Sequence, residues 1–168
     1  MKEETSMVIL AIDPGNIDSG YCMMCDNHHP ILHGKKENNE LLDTTKYWDY
    51  DVLVIEMVAS YGMAVGATVF DTCVWIGRFI QEAERRGIPF HLVYRKEEKI
   101  NLCGRANAKD ANIRQALIDR FAKTASGKGT KNAPDFFYGF AADAWMAFAV
   151  GVTWIDKQQE EKKHEGIS

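Results

Sequence analysis

The chain alternates short apolar runs with polar turns, and the length and period of each run separate strand from helix. Residues 7–12, "MVILAI", are apolar at every position. That is the pattern of a central strand covered on both faces. Residues 20–25 and 30–34 follow as two further strands joined by the turn "DNHHP", which predicts a hairpin or meander. Asn38 or Asn39 caps a short helix through Lys46, with Leu41 and Leu42 facing inward. Residues 52–55, "VLVI", form a second fully apolar strand that ends on Glu56. The loop "SYGMAVG" leads into a long helix over residues 67–86, where Phe70, Val74, Ile76 or Gly77, and Ile80 keep helical spacing and Gly87 terminates the element. "FHLVY" is a fifth strand, and a basic, polar loop runs from it to a helix at about residues 110–122. "SGKGTKNAPD" has the composition of a mobile loop. The last helix, about residues 139–155, is apolar nearly all round and is therefore predicted to be buried.

The order β-β-β-α-β-α-β-α-α predicts an α/β domain, a mixed sheet with helices on its faces. The first and fourth strands read as central and parallel. In such sheets the reactive crevice lies outside the carboxyl ends of the strands, where Asp13 and Glu56 both fall. A length of 168 residues fits one domain, with an ordered core over about 7–156 and a polar tail over 157–168.

Apolar content of 46% and charged content of 26% are those of a soluble globular protein. No run reaches the roughly 18 apolar residues of a membrane span, and "MKEETS" is unlike a signal peptide. A cytoplasmic protein with no membrane partner is expected. Cys22-Met-Met-Cys25 has the spacing of a zinc or redox pair. In a strand, however, residues three apart point to opposite faces, and no second pair follows. Free, largely buried thiols in a reducing compartment are the expectation.

Charge changes the picture more. From Arg95 to Lys131 there are ten basic residues against four acidic ones, a local +6 that leaves −10 for the rest of a chain whose net charge is −4. Such asymmetry suits one phosphate-facing surface on an otherwise acidic protein; it also suits an ordinary solvated helix and loop.

Asp13, in "ILAIDPGNIDSGY", has three readings: a metal ligand, part of a phosphate-cradling Asp-x-Gly turn, or a turn cap. Glu56 at the same sheet edge favours the metal, because two adjacent carboxylates resist ionisation unless a cation sits between them. Asp143 is the only charge in "FFYGFAADAWMAFAVGVTWI". An unpaired buried carboxylate costs several kcal/mol, and Met146, Ala147 and Val150 on its face offer no partner. A cation shared with Asp13 and Glu56 would satisfy all three. Oxygen-only ligands suit Mg²⁺ or Mn²⁺, one or two ions per site.

These motifs resemble the ribonuclease H-like superfamily and, within it, the RuvC-like Holliday junction resolvases, especially the phage-encoded branch. The match lies in "AIDPGNIDSGY", "VLVIEM", "AKDANIRQAL" and "AADAWMAFAVG", in the family's order across most of the chain. The resemblance implies a ribonuclease H-like fold with a five-stranded mixed sheet. It also implies a homodimer that binds four-way DNA junctions and makes paired nicks with Mg²⁺ or Mn²⁺, in recombination or repair, in the host cytoplasm if phage-encoded. Carried over by position, Asp13, Glu56 and Asp143 are the metal-binding carboxylates, and Lys109 is the basic residue that contacts the scissile phosphate or nearby backbone. Arg105 and Arg114 guide the DNA backbone with it, and Lys128 and Lys131 extend the basic surface. No organic cofactor is implied.

Two departures stand out. The bacterial family places another Asp where this chain has Phe140, so Asp135 or Asp110 becomes the possible fourth acid, although each is also an ordinary helix N-terminal residue. Where the bacterial enzymes carry an aromatic wedge, this chain has Ala59; Tyr61 or Met63 could stack on a junction base instead, or simply pack the loop. Trp75, Gly77 and Phe79 on the long helix suit either a dimer contact or the core. His28, His29, His33 and His91 have no assigned role. The open alternatives are a flap, fork or RNA–DNA hybrid nuclease of the same fold, and a catalytically inactive junction-binding protein. An actin-like or sugar-kinase-like phosphotransferase is disfavoured, because one short domain cannot close over a nucleotide.

Overall fold

The uninterrupted apolar run near the N-terminus becomes β1 (Val8–Asp13), the middle strand of a five-stranded sheet. The structure is a computed structural model that describes residues 6–166; all but Ser6 of the polar stretch weighed as a signal peptide, and the last two residues of the expected tail, lie outside it. β1 is flanked by β2 (Asp18–Cys25), which is antiparallel, and by β4 (Val52–Met57), which is parallel. β3 (Pro30–Glu37) and β5 (Phe90–Tyr94) complete the order β3-β2-β1-β4-β5. This is the mixed sheet the strand patterns predict.

Period-two alternation divides the sheet into two faces. Ile9, Ala11, Cys22, Met24, Val52, Val54 and Val93 belong to one core, built largely on the last helix. Leu10, Ile12, Tyr21, Met23, Leu53 and Ile55 belong to the other, under α1 (Asn38–Thr45) and α2 (Ala67–Arg85). The last helix, α5 (Ala142–Glu165), is buried at every position from Ala144 to Ile155, as its all-round apolar sequence predicts. It continues past the expected end at 155, solvated, to Glu165. It lies close on the sheet because Gly151 has no side chain: a Cβ there would collide with the Met24 sulfur.

Four local expectations need correction. First, the segment after β5 is not a loop but α3 (Arg95–Cys103), followed by α4 (Asp110–Phe121). The Glu97 carboxylate accepts the Tyr94 backbone N–H at 2.8 Å and so starts α3, while Gly104 ends it at φ 72°. Its inward residues include charged ones, so no apolar stripe betrays it. Second, the helix caps on Glu37, whose carboxylate accepts from the Asn39 N–H, and not on an asparagine. Third, α2 buries Ile76, Phe79 and Ala83, while Phe70 and Val74 are each 63% exposed. The apolar residues on α2 occupy two faces, and only one of them is core.

Fourth, the segment predicted to be mobile is tied down. The Asp135 carboxylate accepts from the backbone N–H groups of Lys123 and Thr124, the Thr124 hydroxyl and its neighbour Phe136 N–H, at 2.6–3.1 Å. These bonds hold its pKa down at about 2. The cysteines are all free, with Cys22 fully buried. His28 bonds Asp156 at 3.0 Å, and His33 and His91 stack against Phe140 and Trp154, so these three histidines act in packing. No helix among the described residues is long and apolar enough to cross a membrane.

Candidate active site

Strand parity puts the first two acids together. Ile12 pairs with Ile55 across the parallel ladder, so Asp13 and Glu56 are next to each other at the carboxyl edge of the sheet. Asp13 continues the series Ile9, Ala11, and Glu56 the series Val52, Val54, so both side chains turn to the α5 face. Asp143 arrives from the first turn of α5. Gly20, paired with Asp13, is what admits it: a Cβ on Gly20 would strike the Asp143 backbone carbonyl. A cleft of about 400 Å³ is lined by Asp13, Asp143, Asp110, Arg95, Arg114 and Trp145.

Asp143 itself differs from expectation. Its side chain is 42% exposed, and it has a protein partner, Lys35 Nζ at 3.2 Å. Lys35 was beyond the predicted end of β3 at residue 34; pairing with β2 carries the strand on to Glu37 and sets Lys35 opposite Gly20 at the same edge.

The centre of the cluster is occupied by Arg95, the first residue of α3. Its Nη2 lies 3.4 Å from Glu56 Oε2 and 3.7 Å from Asp13 Oδ1, and its Nη1 lies 3.2 Å from Glu98 Oε2 and 3.8 Å from Asp110 Oδ1. Glu98 is fully buried. Neither Arg95 nor Glu98 was foreseen in a site role. Their i, i+3 spacing is a helix pair, and the capping Glu97 between them was the available signal.

One guanidinium does not neutralise this many acids. Burial first, then the Glu56 charge, raises Asp13 to about 7, against the pull of Arg95. Burial likewise raises Glu56. Burial first, then the Glu56 charge, pushes Glu98 up to about 10, against the pull of Arg95. Glu98 Oε1 is buried with no hydrogen-bond partner among the described residues, and Glu56 Oε2 is buried with no hydrogen bond and only the ion-pair approach of Arg95 at 3.4 Å. Orphaned, desolvated carboxylate oxygens call for a proton or a cation, and an all-oxygen donor set fits a hard divalent ion. With Arg95 among them, no three acidic, His or Cys side chains of the described residues are gathered closely enough to cage an ion.

The other expected site residues divide. Asp110 is at the cluster, whereas Asp135 spends its carboxylate on the loop described above. Phe140 is buried among Phe137, Trp145, Phe148 and His33, and no acidic side chain is among these ring contacts. Arg114 reaches the cleft, its guanidinium 4.7 Å over the Trp145 ring. Lys109 precedes Asp110 as the N-cap of α4. Arg105, Lys109, Lys128 and Lys131 enter no ion pair among the described residues, so their charges remain available. Tyr61, in the left-handed region at φ 48°, lines a second cavity of about 270 Å³ with Arg95, Lys96, Lys99 and Ala106. Met63 is exposed and lines neither cavity.

Comparison with known proteins adds the fold. No protein-family model and no curated protein sequence matches the chain. Solved structures do. Thermus thermophilus RuvC aligns over 92% of this chain and 97% of its own, at TM-score 0.64 and 15% identity. T. thermophilus RuvC in complex with a Holliday junction substrate aligns over 88% and 92%, at TM-score 0.62 and 14% identity. The yeast mitochondrial Holliday junction resolvase Ydc2 aligns over 96% and 83%, at TM-score 0.65 and 15% identity. The chain has the RuvC fold. At these identities the likeness is one of backbone architecture, and the predicted ribonuclease H-like sheet is borne out by it.

The anchored loop yields a first test. Asp135→Ala should raise amide hydrogen exchange at Lys123 and Thr124, whose N–H groups lose their acceptor, and unchanged exchange at both would mean that this carboxylate does not hold the loop.

Proposed function

We propose that this protein is a divalent-metal-dependent, structure-specific endodeoxyribonuclease that resolves Holliday junctions by paired nicks. What supports this reading most is the placement of Asp13 and Glu56 side by side at the carboxyl edge of the central strands, with Asp143 lining the same cleft as Asp13, on a RuvC-like backbone. Asp13 and Glu56 from the sheet and Asp143 from α5 would hold Mg²⁺ or Mn²⁺. When bound, that ion supplies an activated water and stabilises the charge that develops on the leaving oxygen. In the hydrolysis a water oxygen forms a bond to phosphorus and the P–O3′ bond breaks, leaving a 5′-phosphate and a 3′-hydroxyl.

The chain's own cations bind and orient the DNA. Arg114, fixed against Trp145, and Lys109 at the mouth of α4 receive the backbone at the cleft. Arg105, Lys128 and Lys131 extend the phosphate track, and such contacts supply affinity without reading sequence. Tyr61, exposed beside Lys96 and Lys99, offers a stacking face to an unpaired base.

Paired nicks need two active sites, and the second face of α2 supplies a dimer surface. Phe70 and Val74 stand one turn apart in solvent, and Gly77 next along the stripe has open space around it. Val74→Glu should convert a dimer to a monomer in sedimentation and leave the fold intact, because position 74 is outside the core. A variant that remains dimeric would move the interface elsewhere.

A second reading has specific support. Arg95 within the acid cluster and Phe140 in the fourth acid's place suit a junction-binding protein without catalysis. Incubating a synthetic four-way junction, a flap, an RNA–DNA hybrid and linear duplex with the protein, in Mg²⁺ or EDTA, separates the readings. Symmetric cuts in the junction alone, dependent on Mg²⁺, are expected. Cuts confined to the flap or hybrid would move the substrate, and tight junction binding without cuts would favour the inactive protein.

A further inference from the structure

Arg95 is placed to do more than neutralise. Its guanidinium is shared among four carboxylates at 3.2–3.8 Å and does not pair in a bidentate fork with any one of them. The same side chain forms part of the wall of two cavities. One is the acid cleft of Asp13 and Asp143; the other is the smaller cavity where its neighbours are Lys96, Lys99 and Tyr61. Its backbone is fixed, because Arg95 opens α3 directly after β5, and its Nη1 donates to Glu98 Oε2 at 3.2 Å and to the Met146 sulfur at 3.0 Å, the contacts the guanidinium leaves when it turns to the second cavity.

We propose that Arg95 is the resident counter-cation of the acid cluster in the metal-free protein. It gives up that place to the divalent ion by turning its guanidinium to the Lys96–Lys99 cavity, where the three cations take one backbone phosphate of the DNA. The proposal rests on the nuclease reading above. Its logic is electrostatic. A guanidinium and a divalent ion repel each other at a few ångströms in a desolvated site, so they compete for the same oxygens. The metal then binds only the fraction of molecules from which Arg95 has withdrawn, and its apparent affinity falls by that fraction. A phosphate in the second cavity draws Arg95 out. DNA and metal therefore strengthen each other's binding, and reciprocally. Lys96 and Lys99 alone would give affinity for DNA without this linkage.

The test uses the full chain and Mn²⁺ alone, followed by the loss of the free-ion EPR signal. Arg95→Gln should bind Mn²⁺ at least about tenfold more tightly than wild type, a coupling of ordinary size. In EDTA it should melt below wild type, since the acids lose their counterion, and it should gain more degrees from Mn²⁺. Wild type carries an independent readout that needs no variant. Its Arg95 guanidinium NMR signals, restrained in the metal-free protein, should shift and average on addition of Mg²⁺. Equal or weaker Mn²⁺ binding by Arg95→Gln, or guanidinium signals unmoved at saturating Mg²⁺, overturns the inference. If wild type still makes Mg²⁺-dependent cuts in that case, the nuclease reading survives it. If wild type neither binds Mn²⁺ nor cuts junctions, both fall together.

Discussion

Asp13→Asn is expected to reduce junction cleavage by at least about a thousandfold, the scale of losing a group that acts only in the transition state, and at the same time to stabilise the metal-free protein. The two effects share one cause. Asp13 sits at the sheet edge with Glu56 beside it and Asp143 and Asp110 close by, and the guanidinium of Arg95 offsets only part of that charge. Its carboxyl is raised from 3.8 to about 7. A carboxyl raised on folding contributes stability that is fully present below its unfolded value and is lost as pH rises through the folded value. The metal-free wild type should therefore weaken between about pH 4 and pH 7, and Asn, which has no charge to desolvate, should not. At pH 8 in EDTA the variant should be ahead by up to a few kcal/mol, or on the order of 5–10 °C in a protein of this size. At pH 4 the two should coincide. Saturating Mg²⁺ should close the gap at pH 8 by stabilising wild type alone. Melting curves at the two pH values, with and without Mg²⁺, check all of this beside the cleavage assay. Cleavage by Asp13→Asn at the wild-type rate would remove Asp13 from the chemistry. Equal melting at pH 8 in EDTA would mean that the cluster is not under electrostatic strain.

The sheet and its reactive edge were legible because β1 and β4 announce themselves twice. Each is an unbroken apolar run, and each meets an acid at its end. Asp143 stood out as the lone charge in the run 136–155 and does line the cleft, but the burial inferred for it was wrong: its side chain is 42% exposed and paired with Lys35. What was not legible lies in segments whose side chains are polar both inside and out. α3 carries Arg95 and Glu98 inward and Lys96 and Lys99 to the rim, so it has no apolar period to read. A buried charge can be recognised only once its partners are known, and those partners come from β1, β4 and α4. Lys35 was hidden by strand register: residues 35–37 of β3 are exposed or half-exposed, and only pairing with β2 makes them strand. The loop at 126–135 looked mobile from its glycines and lysines, yet the Asp135 carboxylate ties its end to the N–H groups of Lys123 and Thr124, and the Asp135 N–H donates back to the Lys128 carbonyl. Phe70 and Val74 keep the helical spacing yet stand in solvent, because spacing reports that a stripe exists, not what covers it. The site's charge balance, more than its fold, depends on contacts between elements far apart in sequence.

Gly20→Ala is the second large effect, and it separates geometry from charge. The variant removes no ligand and adds one methyl group. Gly20 is fully within β2, opposite Asp13 on one side and Lys35 on the other, and its missing side chain is where the first turn of α5 rests. The atom a Cβ would meet is the backbone carbonyl of Asp143, which cannot turn aside as a flexible side chain could. The N-terminal end of α5 has to lift instead, while Gly151, two turns along, keeps the rest of the helix seated against Met24. Asp143 then recedes from Asp13 and Glu56 and from the Nζ of Lys35. A displacement of about 1 Å at a reacting centre is worth on the order of a hundredfold in rate. Overpacking of this kind costs about 1–3 kcal/mol in stability, which a domain of ordinary stability survives. Gly20→Ala is therefore expected to fold, to bind a four-way junction near the wild-type affinity, since the lysines and arginines proposed to receive the phosphates are untouched, and to cut it about a hundredfold more slowly. Gly20→Ser should behave alike, because the collision is at Cβ. If Gly20→Ala cuts at the wild-type rate, the close seat of α5 is not what places Asp143, and the carboxylate on that helix would lose its claim to the centre.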